Sequence, residues 1–269
     1  MAKFLIAMRH FRGNPSDLRR VFLAYLVSNL GNFSARLTLA VIIYDLTGNT
    51  ASLAASFIVV KLPMVIFGNA LGRMGSFLNQ RRVLMVADSV SIVLFTCLAF
   101  SYKWIGPFWT AACFFVSYVI ASLFDSAKAH YIARISPTKE ELNYAVATIA
   151  EIIYIAVALG PFIGGYLIEW LNVSAVLLFN SATFAISILY VRRLADVPAR
   201  MKFWRALLSA FRVTDGWGIG HNFRIVRSHA LLSRFTVFFA CRSITYGLIN
   251  AITPVIALAK LGLGSAGLG

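Results

Sequence analysis

Asn29, Asn32 and Arg36 stand at positions i, i+3 and i+7 within VFLAYLVSNLGNFSARLTLAVIIYDL, a stretch whose other residues are mostly apolar. On a helix of 3.6 residues per turn they fall within about 60 degrees of one another and form one polar stripe. Arg242, Tyr246, Asn250 and Thr253 repeat the device near the other end of the chain. Two uses fit such stripes, the lining of a central cavity and simple interhelical hydrogen bonding. Lys61 stands two residues before Pro63 inside another apolar run, and Glu151 lies inside a third. By helical rise Glu151 is about 9 Å past the start of its run. Three roles are open to it: proton carrier, counter-ion to Lys61 or Arg36, or a solvated group at the headgroup level.

Other chemistries lack their residues. There is no phosphate-binding P-loop, no GxSxG, no HExxH and no His-rich cluster, so neither nucleotide-driven work nor hydrolysis is expected and the chain does not read as an enzyme. His10, His130, His221 and His229 are scattered through polar segments. Cys97, Cys113 and Cys241 lie in apolar runs without CxxC or Cys/His spacing, so we expect no metal, no cofactor and no disulfide.

The elements that carry these residues follow from composition. Of 269 residues 59% are hydrophobic and 13% charged, and the mean hydropathy is +0.78. A soluble core of this size does not need that much apolar surface; a bilayer does. Runs of roughly twenty apolar residues occur near 21–45, 50–72, 83–102, 107–127, 145–168, 173–191 and 235–260. All are expected to be helices, because a strand open to lipid leaves its backbone groups unbonded.

Charge then orients them. The 25 Lys and Arg outnumber 10 Asp and Glu, a formal net charge of +15. On a soluble domain this would point to nucleic acid. Here the cations fall in alternate connections, the pattern of cytoplasmic loops in a multi-pass protein of the cell inner membrane. Lys3, Arg9, Arg12, Arg19 and Arg20 precede the first run, which places the N-terminus inside, whereas LTGNTAS, SYKWIGPF and EWLNVS offer only Lys103. The expected organisation is a cytoplasmic N-terminus (1–20), a six-helix bundle (21–191), a basic cytoplasmic linker (192–234) and a seventh span with the start of a second bundle (235–269). Within the linker, MKFWRALLSAFRV reads either as an amphipathic helix on anionic headgroups or as a solvated connection. LTGNTASLA and LGLGSAGLG end the first and seventh runs with matching Leu, Ala and Leu, consistent with two parallel halves of about six helices each.

In IAVALGPFIGGYLIEW, Gly160 and Gly164 share a helix face and admit a close neighbour, while Pro161 removes a backbone donor. This stretch, with LVSNLGNFSARLTLAVIIYDLTGN, KLPMVIFGNALG, RRVLMVADS, LFDSAKA and LNYA in that order, resembles the major facilitator superfamily, specifically its bacterial efflux branch of macrolide and enterobactin exporters. The resemblance implies an all-α membrane fold. It also implies an antiporter-type motif at Gly160, Pro161, Gly164 and Gly165, and a cytoplasmic gate around Gly72, Arg81 and Arg82. Asp88 and Asp125, near the same end, are expected to pair with Arg81 or Arg82. Two positions depart from the family pattern. GRMGSFLNQRR has Ser76 and Phe77 where the family loop carries Asp and Arg, and Asn32 stands where many relatives have an Asp that can titrate.

The expected function is proton-coupled efflux of a small amphipathic compound, of a drug, macrolide or siderophore class, by alternating access. Asn29, Asn32, Arg36, Lys61, Arg242, Tyr246 and Asn250 would line the substrate cavity and Glu151 would carry the proton. The partners expected are the small molecule, protons and the lipid bilayer, with no nucleic acid, and a missing C-terminal half. The alternative is a truncated, transport-incompetent fragment or a non-transporting membrane partner.

Overall fold

The computed structural model describes the backbone of residues 14–211 and 219–255, and within it all side chains except those at 50, 53, 54, 56–61, 211, 219–222, 244 and 246–255. Its helices begin where short polar side chains can satisfy the free N–H groups of a first turn. Asn14 accepts from the Asp17 N–H at 3.2 Å and opens α1 (Pro15–Thr47), with Pro15 in the first turn where its missing N–H costs nothing. α1 stops at Gly48, whose φ of +60° suits glycine and whose N–H bonds the Tyr44 carbonyl at 2.7 Å. Asn49 then caps α2 (Thr50–Phe77), and Asn79 caps α3 (Gln80–Ile135). Thr138 and Glu141 close a reciprocal capping box on α4 (Lys139–Trp170), as their spacing predicts. Asn172 accepts from the Ala175 N–H at 2.8 Å and starts α5 (Val173–Val191). Three further helices follow, α6 (Phe203–Phe211), α7 (Ile219–Ser228) and α8 (Ala230–Val255).

α3 comprises two helical arms, the third and fourth apolar runs, but no extended loop joins them at SYKWIGPF: the helix breaks at one residue, Gly106, with φ +74° and ψ 174°. Only glycine takes that backbone cheaply, and Pro107 restarts the helix after it. Phe95 and Phe114, one from each side of the break, meet edge to face at 5.5 Å, so the arms 80–105 and 107–135 fold back on each other.

The chain is all-α, with no strand among the described residues. There, α1, α3, α4 and α5 are long and apolar enough to cross a membrane. Packing centres on α1, which lies mainly against α5 and α4, while α3 packs against both α2 and α5. Two apolar clusters result. One gathers Leu18, Phe22, Leu84, Ala127 and Tyr131 at the arginine-rich end, and the other gathers Leu39, Ile42, Leu98, Phe114 and Leu177 at the opposite end. The polar stripe of α1 lies between them. Trp104, Trp109 and Trp170 are exposed at the end away from the arginines, as expected of interfacial tryptophans.

Candidate functional site

Small residues set the orientation of the stripe. A Cβ on Gly164 would stand 2.9 Å from the Ser34 carbonyl oxygen and 3.0 Å from its Cα, and one on Gly160 would collide with Phe33. The Ser34 hydroxyl donates to the Gly160 carbonyl at 2.7 Å, a bond possible only because the two backbones approach so closely. On an adjoining face of α1, Gly31 is pressed against Asn180 and Thr183 of α5. α1 is thus clasped by α4 and α5 through its own Gly31 and Ser34. The face carrying Asn29, Asn32 and Arg36 is turned toward α3.

There the three residues border a cavity of about 170 Å³, enclosed by α1 and both arms of α3 with Met64 and Phe184 at its edges. The Arg36 Nε donates to the Tyr118 hydroxyl at 3.1 Å, and its guanidinium lies 4.4 Å from the centre of the Phe33 ring. Asn29 donates to the Tyr25 carbonyl at 2.8 Å, and Asn32 lines the wall one turn on. Asp88 borders the same space. It is 1% exposed, and its Oδ2 has no hydrogen-bond partner among the described residues. Asp125 also borders the cavity and pairs at 2.7 Å with Lys128, whose ammonium sits 3.1 Å from the centre of the Tyr25 ring. Two carboxylates and one guanidinium therefore share a small polar chamber inside an apolar bundle. Of the three, Asp88 is buried, Arg36 is half-buried and the Asp125 side chain is exposed; ionisable groups inside a membrane bundle mark functional chambers.

The other expected site residues are placed as follows. No ion pair joins Asp88 or Asp125 to Arg81 or Arg82 among the described residues. Glu151 is exposed on the outer face of α4 and does not border the cavity. Arg242 is exposed on α8, and the side chains of Lys61, Tyr246 and Asn250 lie outside the described residues. Gly160, Gly164 and Gly165 are buried and Pro161 is partly so. The Gly72 carbonyl accepts from the Ser126 hydroxyl at 2.9 Å and lies 3.2 Å from the His130 Nε2, which ties α2 to α3.

At the arginine-rich end a second polar assembly appears that sequence reasoning missed. Asp17, 1% exposed, accepts from Arg20 at 2.8 Å, from the Tyr131 hydroxyl at 2.8 Å and from the Ala195 N–H at 3.0 Å. Arg81 donates to the Arg192 carbonyl. Asn79 donates to Asp196 at 2.7 Å, and the N–H groups of Arg200 and Met201 bond the Phe77 carbonyl at 2.8 and 3.1 Å. Residues 192–201 are thereby strapped across the end of the bundle. The bond from Asn79, with the positive charges of Arg82 and Arg81, holds the Asp196 carboxyl below the usual range. No short motif announces this strap. Its only signals were an Asp in a helical first turn and an Asn where the family loop differs.

This geometry can be set beside known proteins. Residues 21–269 match the family described as the Major Facilitator Superfamily. No curated protein matches the chain. Among solved structures, it is similar to two crystal structures of a POT family transporter, one in complex with a thioalcohol conjugated peptide and one with 5-aminolevulinic acid. Each superposes with a TM-score of 0.51 at 12% identity and covers 90% of this chain. The chain spans 50% of the length of those transporters, and at such identity the likeness speaks for the fold. With a helical bundle closed by the GPxxGG face and a family match over nearly its whole length, the chain belongs to the Major Facilitator Superfamily.

Proposed function

We propose that the chain forms one half of a secondary transporter that exports a small amphipathic compound by alternating access, coupled to protons, with the arginine-rich end in the cytoplasm. The observation that carries this reading is the chamber holding Asn29, Asn32, Arg36, Asp88 and Asp125 between α1 and α3. Its volume of about 170 Å³ is below that of a pocket enclosing a whole drug-sized ligand, roughly 300 Å³ or more. It suits one wall of a larger site, whose facing wall comes from a second bundle that α8 begins. Arg36, braced by Tyr118 and Phe33, would contact a polar or anionic group of the substrate, and the surrounding Phe95, Phe114 and Phe124 its apolar body.

The proton requires a carboxylate. Glu151 is the candidate that the sequence offers; Asp88 and Asp125 border the chamber, and of these Asp88 is the buried one, Asp125 being paired with Lys128. Asn32, an amide, takes no part in that step. The test is accumulation of lipophilic dyes and antibiotics in cells producing the protein. Export predicts lower content in energised cells and recovery when the proton gradient is collapsed. Equal content with and without the protein would dispose of the reading.

A further inference from the structure

α6 does not lie free of the bundle. It buries Ala206 and Ala210 against the cluster at the arginine-rich end, while Phe203, Trp204 and Leu208 remain exposed. Between α6 and both arms of α3 a groove of about 1170 Å³ remains open. One end of it is basic, lined by Arg82, Arg200, Lys202 and Arg205. No carboxylate lines the groove among the described residues; the nearby Asp196 faces Arg82 and Arg81 and is held by Asn79. The rest is mainly apolar, with Val83, Val86 and Val90 on one arm of α3 and Ile120 and Leu123 on the other, and Asn79 and Ser209 its polar members. Val86 and Val90 are 61% and 46% exposed. Positions 83, 86 and 90 share a helix face and carry the apolar wall about 12 Å along the helix from Arg82.

We propose that this groove binds an anionic phospholipid, its phosphate among Arg82, Arg200, Lys202 and Arg205 and an acyl chain along Val86 and Val90. Charge and shape exclude the simpler occupants. A soluble phosphate satisfies the cations and leaves the valine wall wet; a zwitterionic lipid covers the wall and leaves an excess of positive charge. Only an amphiphile with a net negative head answers both ends. The groove's basic mouth lies beside the strap at the arginine-rich end, the level of one leaflet's headgroups, so its source is that leaflet. Bound there, the lipid joins α6 to α3 where the strap meets the bundle.

The purified full chain in detergent is titrated with phosphatidylglycerol, with phosphatidylcholine of the same acyl chains, and with glycerol phosphate, and retained lipid is read by native mass spectrometry. The expected result is a preference of at least about tenfold for phosphatidylglycerol, lost in the combined variant Arg200→Gln, Lys202→Gln and Arg205→Gln. Val86→Trp fills the apolar arm with every cation in place, and is expected to reduce phosphatidylglycerol retention as well. Equal retention of the two lipids would overturn the proposal, as would undiminished binding in both variants or displacement of the lipid by glycerol phosphate at equal concentration.

Discussion

Tyr131 donates its hydroxyl to Asp17 across 2.8 Å, joining residues 114 positions apart and tying the end of α3 to the first turn of α1. The same carboxylate accepts from Arg20 and from the Ala195 N–H. Asp17→Asn removes the charge and puts an amide N–H₂ where donors already converge. We expect a loss of about 2 kcal/mol, within the range for hydrogen bonds to a charged group. Tyr131→Phe removes one of the three bonds and costs about half as much. Thermal unfolding in detergent ranks the two, and equal melting of all three proteins would show that the bonds contribute nothing.

The clasp of α1 by α4 gives a sharper contrast. Gly164→Ala brings a methyl group to 2.9 Å from the Ser34 carbonyl oxygen, and backbone cannot yield as a side chain does. The helices must part, at a cost of about 1–3 kcal/mol, and the bond from Ser34 to the Gly160 carbonyl weakens with them. Gly72→Ala is the control. Nothing stands within 4 Å of its added Cβ, and alanine favours the helix by up to about 1 kcal/mol. Stability in detergent is therefore expected to fall for the first variant and to hold or rise for the second.

Much of this architecture was legible because the bilayer forces regularity on sequence. The apolar runs and the GPxxGG face each express a local rule, and the described residues are all-helical, with four helices long and apolar enough to cross a membrane. The capping box at Thr138 and Glu141 rests on an equally local spacing. What escaped depends on contacts between distant positions. Asp17 reads as an ordinary first-turn acid until Tyr131 and Ala195 arrive beside it. Asp88 looks like a gate partner for Arg81 or Arg82 until the fold of α3 at Gly106 brings it against the polar stripe of α1. Periodicity predicts which face of a helix is polar, but it says nothing of which neighbour that face will meet.

The strap itself should respond to acid. Asp196 has its carboxyl held low by Asn79 first and by Arg82 and Arg81 after it. A depressed carboxylate contributes to the folded state above its unfolded value, about 3.9 for Asp, and that contribution is lost as pH falls through the lower folded value. Spin labels at 139 and 199 are thus expected to keep a narrow distance distribution from neutral pH to about 4 and to broaden below it. Asp196→Asn should give the broader distribution at every pH. A distribution in the parent protein that stayed narrow well below that range would remove Asp196 from the attachment.

Arg36 tests the chamber as a binding surface. Its guanidinium bonds Tyr118 through Nε and lies over the Phe33 ring, which leaves the other nitrogens of the fork available. Lysine keeps the charge but has neither the planar face nor the fork. Under the proposed function, Arg36→Lys is expected to raise the substrate concentration for half-maximal export by roughly tenfold, the equivalent of about 1.4 kcal/mol. Tyr118→Phe, which loses one bond and keeps the stack, should have a smaller effect. Indistinguishable export by the parent and Arg36→Lys would move the substrate away from this wall.

Asp88 and Glu151 divide the remaining question between them. Asp88 is buried at the chamber with one oxygen unbonded, so as an ion it bears a desolvation cost that the neighbouring Ser187 offsets only in part. Asp88→Asn keeps the shape and removes the charge; the bundle's stability is expected to hold or to rise by about 1–3 kcal/mol. Glu151 is exposed on α4 and faces away from the chamber, so Glu151→Gln is expected to leave stability unchanged. Export separates their roles. If the proton is handled beside the substrate, Asp88→Asn abolishes the dependence of dye export on the pH gradient while Glu151→Gln retains it. The reverse pattern would assign the proton to the outer face of α4, where it could be exchanged only against a helix of the second bundle. A stable Asp88→Asn protein with normal coupling would leave the buried carboxylate as a structural cost with no transport role, and the case for the chamber would then rest on Arg36 and the two asparagines.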